Sequence, residues 1–156
     1  MLQTAEKSCS MSTITILNNE FLKLVYHEET KIVHHTFHQV VRGEEFRNAL
    51  NAGLEVFKKY GAHKWLSDDR NNSALPEDDT HWAKTIWFPQ VLSAGWQYWA
   101  IVWPPQTMAI MNLKEFMDSY RPFGLKVMAF KEPKLAMSWL AHNKTVPRIK
   151  LPVSSK

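Results

Sequence analysis

The sequence predicts one α/β domain in which a β-hairpin leads into alternating helices and strands. Three observations carry this reading. Two β-rich runs, 21–27 and 31–38, flank a short turn. Over 43–60, Phe46, Ala49, Leu50, Leu54 and Phe57 recur at helical spacing. The nearly continuous apolar run 97–103 has strand length and suits a strand covered on both faces. The order reads β-β-α-β-α-β-α-β-α. That implies a mixed β-sheet of about five strands, mostly parallel after the hairpin, with about four helices and right-handed crossovers.

Each element has its own local signal. A turn centred on Glu29 and Thr30 pairs His27 with Ile32, Val25 with His34 and Leu24 with His35. Leu22, Leu24, Tyr26, Val33 and Phe37 then share one apolar face with His35. Phe21, Lys23, Val25, His27, Ile32, His34, Thr36 and His38 share a mixed face, half covered at most. The helix over 43–60 opens with Glu44 and Glu45 and closes with Lys58 and Lys59, signs that suit its dipole. Gly61 supplies a left-handed stop. Residues 63–68 form the third strand, with a polar loop over 69–74. A second helix begins near Pro76–Asp79 and runs until Pro89 breaks or kinks it. After the strand over 97–103, Asn112 caps a helix with Glu115 three residues on, its buried stripe being Leu113, Phe116, Met117 and Tyr120. A strand over 125–130 and a helix from Glu132 and Pro133 finish the domain. Residues 1–18 read as a flexible arm, 19–142 as the domain and 143–156 as a flexible basic tail.

Composition narrows the function classes. The chain has 156 residues, 45% of them hydrophobic, which suits one folded domain rather than disorder. A lone cysteine, Cys9, excludes an internal disulfide and a cysteine-based zinc cage. No apolar run approaches the ~18 residues of a membrane span, and the N-terminus lacks an export signal, so the expected location is cytoplasmic. The net charge is +4, yet residues 121–156 hold eight basic residues against the single acid Glu132. These charges are scattered and carry no interleaved aromatics, which argues for a solvated face and against nucleic acid. No glycine-rich phosphate loop, nucleophile elbow or dinucleotide fingerprint is present, and neither cofactor nor catalytic residue is expected.

The element order resembles that of STAS-type domains, the fold of the sporulation anti-sigma-factor antagonists. A strand end carrying Trp65, Leu66, Asp68 and Arg70 leads through an acidic loop to Trp87, Phe88 and Pro89. This resembles a stretch of uncharacterised bacterial STAS-like proteins, and the likeness spans roughly 20–141. It implies a non-enzymatic regulatory module that works by docking on a protein partner. Family members switched by phosphorylation carry a serine in an Asp-Ser-Ser-Gly-like motif. Here the nearest stretch is Asp78-Asp79-Thr80-His81, so that switch is not expected and Thr80 reads as a cap or surface residue.

The candidate rim combines the third-strand exit, Asp68, Asp69 and Arg70, with Thr80, His81, Trp82 and Trp87 on the next helix. Ligands in open α/β sheets bind outside the carboxyl ends of strands. A carboxylate, a guanidinium and an imidazole there suit an anion or acid–base chemistry. The simpler reading has Asp capping the loop and pairing with Arg70. A further one points Arg70 into a pocket lined by Trp82 and Trp87. These two tryptophans lie five residues apart, too far round an α-helix to face one core comfortably. The aromatic surplus therefore indicates a protein interface, a homodimer first, or a ligand pocket. A small-molecule or anion-binding protein, or a minor enzyme, using the same rim is the alternative to the docking module. Seven histidines raise a metal site, but only His27 and His34 come near each other, with no third ligand evident, so none is expected.

Overall fold

The computed structural model describes residues 12–72 and 74–144. The six strands are β1 (Thr13–Asn18), β2 (Leu22–His27), β3 (Ile32–Phe37), β4 (Lys64–Asp68), β5 (Tyr98–Val102) and β6 (Lys126–Phe130). They lie side by side in chain order, β1 to β3 antiparallel and β3 to β6 parallel. The α/β class and the leading hairpin are as the sequence predicts, including the register Leu24–His35, Val25–His34 and His27–Ile32. One strand was missed. Thr13–Asn18 falls in the expected flexible arm but pairs with β2, its half-buried Ile14, Ile16 and Leu17 packing on the core. Its Thr13-Ile14-Thr15-Ile16 alternation of β-branched residues is itself a strand signal, which the flexible-arm reading passed over. Of the arm and the tail, residues 1–11, with Cys9, and 145–156 lie outside the described residues, while Asn143 and Lys144 are held by bonds to Trp139 and Tyr98.

Helix α1 (Gly43–Tyr60) follows β3, α2 (Glu77–Trp82) and α3 (Phe88–Ser93) follow β4, and α4 (Pro105–Ile110) and α5 (Leu113–Asp118) follow β5. Helix α6 (Pro133–His142) follows β6. The parallel strand order never reverses, so right-handed crossovers put α1 to α5 on one face of the sheet. The main core lies there: Leu22, Leu24, Tyr26, Val33, Phe37 and Trp65 from the sheet meet Leu50, Leu54 and Phe57 of α1. On the opposite face α6 seals Ile32, Leu66, Tyr98, Ala100 and Val102 with Ala136 and Leu140. Strand β5 is thus covered on both faces, which explains its unbroken apolar sequence. No helix among the described residues is long and apolar enough to cross a membrane.

Pro89 does not break the second helix. Residues Ala83–Trp87 form one π turn, in which the Phe88 N–H donates to Ala83 O, and the chain stays helical through Ser93. The extra residue in the turn makes room for a ring that would strike the preceding turn of an α-helix. Short α4 was not expected after Pro104 and Pro105. The stripe on α5 is half-buried rather than buried, and Leu135 of α6 is exposed. Asn112 does cap α5, accepting from the Glu115 N–H at 3.1 Å.

On the mixed face of the hairpin the His27 and His34 rings stack at 5.5 Å, with Nε2 and Nδ1 3.3 Å apart. Burial, followed by the charges of His27 and His35, holds His34 down to about 4, against the opposing pull of Asp68. The unfolded chain therefore takes up a proton that the folded one resists. Stability should be full above the ordinary histidine value of 6.5 and fall as pH drops towards 4. The loss should be on the order of 2–3 kcal/mol. Urea unfolding of the His34→Gln variant over that range should give a visibly flatter profile. An unchanged slope would assign the acid sensitivity to other groups.

Candidate functional site

The carboxyl ends of β3, β4 and β5 open into a cavity of about 490 Å³, roofed by α1, the π turn and α4. Alternation along β4 decides which residues reach it. Trp65, Ser67 and then Asp69 point to the cavity face, whereas Lys64, Leu66 and Asp68 point to the α6 face. The walls are aromatic: Trp65, Trp87, Trp96, Trp99 and Trp103, with Tyr120 beside them. Their rings lock edge to face, Trp65 with Trp87 at 5.3 Å and Trp99 with Tyr120 at 5.3 Å. Burial raises the Tyr120 hydroxyl above the ordinary phenol value.

Four of the five indole N–H groups are already used inside the protein. Trp87 donates to Leu50 O at 2.8 Å, Trp96 to Tyr98 O at 3.0 Å and Trp99 to Ser67 Oγ at 2.9 Å. Trp65 donates to His35 Nδ1 at 2.9 Å. An indole nitrogen can only donate, so His35 Nδ1 must accept and the ring proton sits on Nε2. Nε2 then donates to Asp69 Oδ1 at 2.7 Å. His35 is buried, and both of its nitrogens are engaged by Trp65 and Asp69. It is therefore a positioning residue with no nitrogen left to take a proton from a ligand. Asp69 is the group it positions, with 26% of its side chain still accessible at the cavity wall. Oδ2 receives no hydrogen bond among the described residues.

The expected rim is divided by the sheet. Asp69 and Thr80 line the cavity, as does Trp87. Asp68 and Arg70 do not: Arg70 Nε and Nη2 fork onto Asp68 Oδ1 and Oδ2, both at 2.9 Å, on the α6 side. That hydrogen bond raises the Arg70 guanidinium, and the structural pairing of the two residues is the reading that holds. Arg70 is not in a pocket with Trp82 and Trp87. Thr80 lies inside α2 rather than at its cap, its hydroxyl donating to Pro76 O at 3.2 Å. His81 is exposed and away from the cavity.

Trp82 and Trp87 turn inward together, against expectation, because the π turn rotates Trp87 back towards the side Trp82 occupies. Trp87 is 6% exposed, and Trp82 packs edge-on against Phe46 beneath the Arg47 guanidinium. Neither is a free anchor for a partner. Sequence reasoning missed His35 as the positioner of Asp69, although a histidine on the apolar face of the hairpin was its signal. Among the described residues no cluster of three metal-ligating side chains occurs.

The chain matches no protein-family model, no curated protein and no solved structure.

Proposed function

We propose that this chain is a cytoplasmic, non-enzymatic module of STAS-like architecture that binds a small, largely apolar molecule in the aromatic cavity. The carrying observation is the concave 490 Å³ space at the carboxyl ends of three parallel strands, with few polar groups converging on it. Its size falls in the range of ligand sites, ~300–1,000 Å³. A docking module needs exposed anchors; of the two tryptophans expected in that role, Trp87 is instead folded into the cavity wall and half-buried Trp82 packs against Phe46 under Arg47. The π turn supports the same reading: Ala83, Lys84 and Trp87 of that turn all line the space, and such insertions concentrate at functional sites. With both His35 nitrogens engaged, the polar machinery favours holding a ligand over transforming it.

Native mass spectrometry of the protein from its own host tests this against two variants. Thr107→Trp fills the cavity mouth from α4, and Arg70→Ala alters the far face. The wild type and Arg70→Ala should carry a small molecule that Thr107→Trp has lost. Retention by Thr107→Trp, or loss only from Arg70→Ala, would overturn the cavity as the site. Protein partners or a second copy recovered on ligand-free chain would return the docking module, and the homodimer, to first place.

A further inference from the structure

The chemical class of the ligand follows from what the cavity offers, and this step rests on the ligand-binding reading above. We infer that the cavity takes an organic cation, an ammonium group carried on an aromatic or apolar body, with the ammonium at Asp69 and the body against the indoles.

Three features of the wall converge on this class. The first is the charge at its polar end. A protonated His35 would turn the pair into a neutral imidazolium–carboxylate. The Trp65 N–H forbids that, because Nδ1 would then have to donate towards another donor. With Nδ1 accepting from Trp65, His35 aims the Asp69 carboxylate through Nε2, and no lysine or arginine among the described residues pairs with that carboxylate. The second is the indoles. Four of them spend their N–H groups on Leu50, Tyr98, Ser67 and His35, so they offer ring faces and edges rather than hydrogen-bond donors to an occupant. Electron-rich faces around a site attract a cation and do nothing for an anion.

The third is the placement of positive charge. Lys84 is the one lysine or arginine among the described lining residues, and it is exposed on the π turn, where water solvates it. Arg70, the guanidinium that made an anion attractive in the sequence, is forked onto Asp68 behind the sheet. The deep wall therefore offers no fixed cation to an anionic ligand. Ser67, whose oxygen accepts from Trp99, keeps its own hydroxyl proton to give to an acceptor on the ligand body.

Calorimetric titration of the full chain with 1-naphthylmethylammonium, 1-naphthylmethanol and 1-naphthoate separates the possibilities, since the three share one ring and differ in charge. The ammonium should bind at least about tenfold more tightly than the alcohol, and the carboxylate most weakly. In Asp69→Asn the ammonium should fall to within about threefold of the alcohol, while the alcohol keeps its affinity. Lys84→Ala should leave the order of the three unchanged, which gives a second readout if Asp69→Asn does not fold. Equal binding of all three would overturn the cation assignment and leave the cavity as an apolar ligand site. Preference for 1-naphthoate, abolished in Lys84→Ala, would overturn it in favour of an anion. Failure of all three to bind would remove the ligand-binding reading itself.

Discussion

Replacing Asp79 by alanine should destabilise the protein by about 3 kcal/mol, the largest loss expected from any single acidic residue here. Helix α1 begins after Arg42 with no side-chain cap of its own. Its first N–H, that of Gly43, instead donates to Asp79 Oδ2 at 2.7 Å, across from α2. Arg47, one turn into α1, donates through Nε to Asp79 Oδ1 at 3.1 Å and through Nη2 to Asp78 O at 3.3 Å. The carboxylate is 1% exposed and sits where the dipole of an 18-residue helix is positive. Truncation would leave a buried N–H without an acceptor and a guanidinium without its carboxylate. For a chain of this length the melting temperature should drop by roughly 6–12 °C. Asp79→Asn, which keeps an acceptor but not the charge, should lose about a third as much. Urea unfolding of the two variants checks this. A loss under about 0.5 kcal/mol for Asp79→Ala, the size of a surface substitution, would show that α1 finds another cap.

The second large effect carries a sign opposite to helix propensity. Gly53 lies in the middle of α1, where alanine would ordinarily add ~1 kcal/mol. A Cβ at Gly53 would overlap Trp65 Cη2 and lie 2.7 Å from Cζ3 and 3.0 Å from Cζ2. The indole cannot step aside. Its nitrogen is bonded to His35, Phe57 stacks on it at 5.8 Å, and Trp87 and Trp96 close on it at 5.3 and 6.1 Å. Gly53→Ala should therefore cost about 3 kcal/mol through overpacking. Asn51→Ala, exposed on the same helix, should be neutral or slightly stabilising. Because Trp65 also orients His35, the glycine variant should weaken binding of the naphthyl probes more than its loss of stability alone explains. Equal stability of Gly53→Ala and wild type would mean that α1 can lift off the sheet, and the cavity with it.

Legibility in the sequence followed the range of the interactions. The bounds of α1, the hairpin register and the Asn112 cap rest on neighbours in the chain, and all three were readable. No serine, threonine or aspartate directly precedes Gly43, and α1 has no side-chain cap of its own. The cap it uses instead, Asp79, lies 36 residues away and was not readable. Strand β1 carries its own Thr–Ile alternation and was missed all the same, whereas short α4 buries no residue and so leaves no apolar stripe to read. The π turn escaped because the cost of Pro89 is local, whereas the insertion that relieves it also serves to bring Trp87 inward.

The sequence by itself determined the α/β class, the order of the principal elements and the presence of more aromatic surface than one small core requires. It also marked the exit of the strand over 63–68 as the place to look. Only the tertiary structure decided which side of the sheet each residue of that exit faces. One step along β4 separates Asp68, tied to Arg70 behind the sheet, from Asp69, aimed by His35 into the cavity. The physical reason is the parallel register of β3 on β4. It sets His35 beside Ser67, close enough to take a hydrogen bond from Trp65 and pass one to Asp69. No local pattern in the chain encodes that alignment.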